Sequence, residues 1–440
     1  MSCLLIQRGT LVTMNPRLDI LRADLLVRDG CIARIGRIAP RATDLLLDAT
    51  DCFVLPGLIQ THVHLCQTLM RGSADDLPLL TWLKQRIWPL EAAHDERSLR
   101  TSVRLGLTEL IRGGTTTILS METVHGTEIV LEEATRSGIR AVIGKCFMNR
   151  GAGVPARLLQ SHREGFQETE LLLKSWHRRD GGRIQVALAP RFILSCSRDL
   201  LEQVRDLAQE RELLVHTHAA ENREEVELVR RQTGWRNVEA FHRMGLSGKR
   251  LCLAHCIWLS ALEMRILQRS QTRVLHCPNA NLKLGSGIAP IVEMKKLGIA
   301  VSLGADGAAC NNNLDLFHEM RTAALLQKLR YGPQSMQAAD VLKMATIEGA
   351  RALGQEASIG SLEVGKRADL IIVRRRGAHL SPSLDPFSTL VYSAHSSDVR
   401  SSVIDGRLVM KDRELLSLDA EKAIGESKQQ WKRLAARAGI

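Results

Sequence analysis

Histidine and carboxylate side chains recur in this chain at spacings that suit a hydrolytic metal centre. His62 and His64 stand two residues apart, as do His216 and His218, with Glu221 three residues beyond the second pair. On an extended strand, residues two apart project from the same face, so each pair presents two imidazoles to one point. Neutral imidazole suits zinc and ferrous iron, and a metal-activated water is the nucleophile such a centre provides. One His-x-His pair is a weak signal, because paired histidines also occur on ordinary strands. His255, His276 and Asp306 strengthen it, since each closes another apolar, strand-length run.

Those runs are the elements that must position the chemistry. Apolar segments at 58–64, 115–121, 140–148, 184–189, 213–218, 251–255, 273–277 and 300–304 alternate with helical stretches. The clearest of these, at 98–112, 128–137, 200–211 and 259–270, repeat apolar residues every three or four positions. Strand–helix alternation repeated eight times predicts an α/β fold, a (β/α)8 barrel of the TIM type. Active sites of such barrels lie at the carboxyl ends of the strands. His62 and His64 then end the first strand, His216, His218 and Glu221 the fifth, His255 the sixth, His276 the seventh and Asp306 the eighth.

Outside the barrel, short strands at 3–6, 24–28 and 31–36, with Asp29-Gly30 as a turn, are matched by strand-like stretches at 362–373 and 399–410, with Asp405-Gly406 as a turn. The predicted organisation is a small β-sandwich built from both termini, 1–57 and 359–440, the latter with a terminal helix. The catalytic barrel occupies 58–358 between them.

Composition narrows the function classes. A chain of 440 residues with 45% hydrophobic content supports a large core. Its apolar runs fall well short of the roughly 20 residues needed to cross a bilayer, so no membrane span is expected. Residues 1–8 lack the features of a secretion signal, which predicts a cytoplasmic protein. Ten cysteines without a CxxC pair read as reduced, mostly buried thiols. The net charge of +12 is spread as arginines among acids, and aromatic content is 3%, which favours a solvated surface over a nucleic-acid partner. A homo-oligomer acting on a small molecule is expected.

The number of ions also leaves a trace. A dinuclear centre in such a barrel needs a bridging anion, commonly a modified lysine ending the fourth strand. Here that strand ends in Ala189-Pro190-Arg191, and Lys145 lies on the third. One divalent ion, zinc in the first instance with ferrous iron as the alternative, fits a site of His62, His64, His218 and Asp306 with an activated water.

Longer motifs carry a resemblance that spans nearly the whole chain. PGLIQTHVH at 56–64, GGTTT at 113–117, HTHAAE at 216–221, AHC at 254–256, HCPNANLKLGSGIAP at 276–290, GADGAACNNNLDLFHEMR at 304–321 and GSLEVGKRADLIIV at 360–373 resemble the adenosine-type deaminase branch of the amidohydrolase superfamily, to which triazine hydrolases are related. ADDLPLLTWLKQRIWPLE at 74–91 resembles the deaminases of methylthioadenosine, S-adenosylhomocysteine and 5′-deoxyadenosine. The resemblance implies His62, His64, His218 and Asp306 as metal ligands and Glu221 and His255 in catalysis. It also implies hydrolytic deamination of a 5′-modified adenosine, with release of ammonia. Elementary chemistry agrees: Asp306 can accept the proton of the attacking water, Glu221 can protonate ring N1, and His255 can orient the water.

Plainer readings stand beside these. Glu221 suits the first turn of a helix at 221–231, His216 suits a structural hydrogen bond, and His276 suits either a supporting contact or core packing. Trp82, in the long segment after the first strand, is the natural platform for a purine or sugar, with a buried loop anchor as its alternative. Thr81 precedes it where related deaminases carry an acid, which leaves Asp75 and Asp76 as substitutes for binding ribose hydroxyls or as helix caps. Arg191 stands where homocysteine-nucleoside deaminases carry histidine and is expected to contact base or sugar, or else to form a salt bridge. The alternative activities are hydrolysis of guanine, a pterin or a chlorinated triazine. An inactive scaffold or a nucleic-acid binder is the alternative of another class.

Overall fold

The structure, a computed structural model, describes residues 3–42 and 44–440. Nine strands form one sheet from both ends of the chain: β1 (Cys3–Val12), β2 (Ile20–Arg28), β3 (Cys31–Gly36), β4 (Asp44–Asp48), β5 (Cys52–Pro56), β15 (Leu370–Arg374), β16 (Val399–Ile404), β17 (Arg407–Lys411) and β18 (Glu414–Leu415). The second sheet comprises β6 (Leu58–His64), β7 (Thr115–Met121), β8 (Arg140–Phe147), β9 (Ile184–Pro190), β10 (Val215–Ala219), β11 (Leu251–His255), β12 (Arg273–His276), β13 (Val301–Leu303) and β14 (Asp306–Gly307).

The second sheet is the barrel. Every residue of β6, β7 and β8 is buried, as in strands covered on both faces. The eight expected strands are all present, with ends shifted by one or two residues. The eighth is split: β13 pairs with β12, and after Gly304 and Ala305 the short β14 pairs with β6. The first and last members of the sheet are therefore separated in the chain by only Gly304 and Ala305, and the ring closes. Closure brings backbones unusually near, because a Cβ on Gly304 would stand 2.6 Å from the carbonyl oxygen of His62. Only glycine fits there. Thr61 Oγ1 donates to Leu303 O at 2.9 Å, and Ala305 N–H donates to Gln60 Oε1 at 3.1 Å across the same seam.

In the terminal sheet, β1 pairs with β2 on one edge. On the other it pairs with β4 through Cys3–Gln7 and with β5 through Thr10 and Leu11. Antiparallel pairing of β15 with β5 joins the two termini, as the sequence predicts. Both predicted Asp-Gly turns form hairpins with positive φ at each residue, 51° and 78° at Asp29-Gly30 and 52° and 75° at Asp405-Gly406. Leu4, Ile6, Leu11, Val54, Leu370 and Ile372 share a core of their own here. The stretch expected to be extended over 362–373 shortens to β15, because Gly365, at φ 92°, turns the chain first.

The segment after β6 covers the barrel mouth with short helical pieces, Leu65–Met70, Leu79–Trp82, Leu83–Ile87 and Trp88–Ala92. They pack around Leu69, Leu79, Trp82, Ile87 and Trp88, with Leu434 from the terminal helix Ala420–Ala438. That helix lies against Glu96–Arg112. Arg437 Nε donates to Ala93 O at 2.8 Å, and Arg437 pairs with Asp95 at 3.0 Å. The ten cysteines are free thiols, eight of them buried. Among the described residues no helix is long and apolar enough to cross a membrane.

Candidate active site

Four side chains expected at a metal converge at the carboxyl end of the barrel. His62 and His64 leave β6, His218 leaves β10 and Asp306 opens β14, and their potential ligand atoms lie within 4.8 Å of one another. Asp306 Oδ1 is 3.3 Å from His62 Nε2 and 3.2 Å from His64 Nε2. Donors held at about 2.0–2.2 Å around a tetrahedral ion stand roughly 3.3 Å apart, so this spacing fits a divalent cation.

The far nitrogen of each imidazole is occupied, which turns the near one inward. His64 Nδ1–H donates to Met121 O and His218 Nδ1–H donates to Arg191 O, both at 2.7 Å, and His62 Nδ1 bonds His216 Nε2 at 2.6 Å. Such partners fix the tautomer and leave Nε2 with its lone pair free. His62 Nε2 is buried and has no hydrogen-bond partner. Burial drives His62 down to about 4 and His216 and His218 well below the ordinary value, so the rings are neutral donors. Burial works against the Asp306 anion, but the neighbouring His62, His64 and His255 rings outweigh it and hold the carboxyl well below its usual range. This donor set, three imidazole nitrogens and one carboxylate, suits a divalent metal ion. His216 makes the structural hydrogen bond expected of it.

Glu221 and His255 stand beside the cluster. His255 Nε2 is 3.5 Å from Glu221 Oε2 and 3.7 Å from Asp306 Oδ2, and Asn281 Oδ1 bonds its Nδ1 at 2.8 Å. Burial raises Glu221 to about 7, close to where a group must lie to both hold and give up a proton. For His255 burial favours the neutral ring, yet the adjacent Glu221 and Asp306 move it up. The plainer reading of Glu221 as a first-turn acid does not hold: the helix is Arg223–Thr233, and Asn222 caps it by accepting the Glu224 N–H at 2.9 Å.

Backbone strain concentrates at these strand ends. Ala220, His255, Cys256 and Asp306 all have positive φ, 52°, 73°, 50° and 63°. Each costs about 1–3 kcal/mol and persists only where surrounding contacts over-determine it. Here Ala219 O accepts the Cys256 N–H at 3.0 Å, and Ala220 O accepts the N–H groups of Ile257 and Trp258 at 2.9 and 3.0 Å.

Above the cluster, a pocket is lined by Trp82, Leu83, Arg191, Phe192 and Leu284 together with the polar groups beneath. Trp82 and Arg191 therefore both line the pocket. Arg191 is also salt-bridged: its guanidinium donates to Glu91 at 2.5 and 3.1 Å, and Glu91 accepts from Gln67 Nε2 at 2.9 Å. Asp75 and Asp76 do neither of the things expected of them. Asp75 is an exposed partner of Lys283, neither acid lines the cavity, and the following helix has no side-chain cap. His276 is buried, with neither ring nitrogen bonded, and burial drives it down to about 3. Lys145 lies outside the cluster, donating to Cys146 O at 3.0 Å and to Gln160 Oε1 at 2.9 Å.

Sequence reasoning missed the buried carboxylates that brace the mouth. Glu122 accepts the N–H groups of Leu65 and Cys66 at 3.3 and 2.8 Å, and Glu319 accepts from Asn279 Nδ2 and Asn311 Nδ2, both at 2.7 Å. Glu225 accepts the Glu221 N–H at 3.0 Å. Burial pushes all three up to about 7. Glu122 directly follows the last residue of β7, and that position was the available signal.

Known proteins match this arrangement along almost its full length. The family model described as amidohydrolase family matches residues 53–409. The chain is 41% identical over 429 residues to a 5-methylthioadenosine/S-adenosylhomocysteine deaminase of Syntrophobacter fumaroxidans, covering 96% of each chain. It is 39% identical over 411 residues to a 5′-deoxyadenosine deaminase of Methanothermobacter thermautotrophicus, covering 92% of this chain and 93% of the relative. A zinc-bound adenosine deaminase of Xanthomonas campestris superposes with a TM-score of 0.92 at 33% identity, over 99% of each chain. The closed barrel, its strand-end histidines and these matches agree: the chain belongs to the amidohydrolase family.

Proposed function

We propose that this chain is a metal-dependent hydrolytic deaminase of 5′-modified adenosines, with 5′-deoxyadenosine, 5′-methylthioadenosine, S-adenosylhomocysteine and adenosine as its substrate class. The observation that carries the reading is the juxtaposition of the three-histidine, one-aspartate cluster with a buried Glu221 raised to about 7. The names of the relatives support the nucleoside as substrate.

In this reading His62, His64, His218 and Asp306 hold one zinc ion, and the barrel at 58–358 carries the chemistry between the two terminal parts of the sandwich. A bound divalent ion lowers the pKa of water towards neutrality. Asp306 takes the proton of the attacking water, and His255 orients that water towards C6 of the purine. Glu221 delivers a proton to ring N1, so that no anion builds up on the buried ring. Asp306 passes the proton it took to the amino group, which leaves as ammonia, and the C6 hydroxyl gives its proton to Glu221 as it becomes the carbonyl of the inosine-type product. Trp82 and Arg191 line the space for base and sugar.

Ammonia release by the zinc-loaded protein from each of the four nucleosides, guanine and a pterin, with chloride release from a chlorinated triazine, tests the proposal. Turnover of at least one adenosine and none of the other heterocycles is expected. No release from any of the four would overturn it.

A further inference from the structure

Helix Arg223–Thr233 begins two residues after Glu221, and its third residue, Glu225, is a carboxylate on the wall of the same pocket that the proposed reaction leaves unused. Glu225 is 1% exposed and makes no ion pair among the described residues. Its Oε2 accepts the backbone N–H of Glu221 at 3.0 Å, and its Oε1 accepts from Asn237 Nδ2. Asn237, the first residue of helix Asn237–Arg243, is itself fully buried. A carboxylate buried without a cation is costly, and an apolar residue of similar shape would cost less. The cost is offset by what Glu225 holds.

What it holds is the turn that carries Glu221. Ala220 sits there in the left-handed region at φ 52°, a conformation that persists only under constraint. The loop after β11 supplies one constraint, since Ala220 O accepts two N–H groups from Ile257 and Trp258. Glu225 supplies the other and satisfies a backbone N–H that would otherwise be buried without a partner.

We infer that Glu225 is a positioning residue: by accepting the Glu221 N–H it locks the turn that aims the Glu221 carboxyl at the substrate ring. The inference rests on Glu221 as the proton carrier. It also separates geometry from charge. Asn237 Oδ1 has no partner, so a glutamine at 225 can accept the Glu221 N–H and donate to Asn237 once that amide turns over. Alanine can do neither.

Steady-state kinetics of the zinc-loaded full chain with 5′-deoxyadenosine and methylthioadenosine decide the matter, with bound zinc measured for every variant. Glu225→Ala is expected to lower kcat by about 10- to 100-fold, with KM within about threefold, as for a catalytic group displaced by an ångström or less. Glu225→Gln is expected to restore kcat to within about threefold of the parent. Wild-type kcat in Glu225→Ala, or equal losses in both variants, would overturn the positioning role. Should Glu225→Ala not fold, Asn237→Ala frees one carboxylate oxygen and is expected to lower kcat by less than tenfold, roughly three- to fivefold. An unchanged kcat there would overturn the role as well. Glu221→Gln separates the two levels: full activity would remove Glu221 as proton carrier and this inference with it. An inert Glu221→Gln beside an unimpaired Glu225→Ala would remove the positioning role alone.

Discussion

The floor of the site and its roof are held in different ways. On the floor, every proposed ligand stands within two residues of a strand end. His64 and His218 are aimed by carbonyl oxygens, and His62 is aimed by a second ring. The roof, residues 65–93, contains no strand. It is a string of short helical pieces fixed by apolar packing, by the Arg191–Glu91 pair and by Arg437 of the terminal helix. The proposed chemistry thus sits on the rigid barrel, whereas Trp82, the proposed platform for the substrate, sits on a segment with few anchors.

The largest effect should come from the floor. Asp306→Asn keeps the size of the side chain and the close approach to His62 and His64, but removes the base that takes the water proton. Turnover is expected to fall on the order of 10³-fold, the range of general acid–base catalysis, with an unchanged circular dichroism spectrum and thermal midpoint. Undiminished activity would take Asp306 out of the chemistry and leave the floor with only a structural role.

The same division governs what could be read from the sequence. His62 and His64 were legible because strand periodicity is local: two residues apart means one face. The eight barrel strands were legible as apolar runs of strand length, and the two hairpins as Asp-Gly pairs whose positive φ values are now seen. The split of the eighth strand was not, because it arises from the close passage of Gly304 over His62, a contact between residues more than 200 positions apart. Nor was the Arg191–Glu91 pair, whose partners are separated by 100 residues. Asp75 and Asp76 misled for the same reason, since nearness in sequence to Trp82 says little about which side of a helical loop faces the pocket. Glu225 lay in view four residues after Glu221, but its importance depends on burial, which charge patterns alone do not reveal.

Breaking the anchor of the roof should give the next largest effect. Glu91→Ala leaves the Arg191 guanidinium buried without its carboxylate, a loss of about 3–5 kcal/mol when one partner of a buried pair is removed. The thermal midpoint is expected to fall by several degrees. Because Arg191 O also orients His218, kcat/KM should fall as well. Replacing both partners, Glu91→Leu with Arg191→Met, should recover part of the midpoint, since no charge is then stranded. A midpoint unmoved in Glu91→Ala would show that apolar packing alone holds the roof.

The smallest effect belongs to Trp82, and it bears most directly on whether the roof selects. Trp82 is 4% exposed, packs in the roof cluster, lines the cavity and leaves its indole N–H without a partner. A buried platform and a buried anchor look alike by those measures. They differ in what truncation does. Stacking of a base on an aromatic ring is worth about 1–3 kcal/mol, so Trp82→Ala should raise KM for a nucleoside by roughly 5- to 150-fold. Trp82→Phe, which keeps a π-face, should raise it much less. If Trp82 only anchors the loop, truncation should lower the thermal midpoint with no preference for alanine over phenylalanine in KM. Selectivity would then have to come from Arg191, Phe192 and Leu284, on the rim of the barrel rather than in the roof.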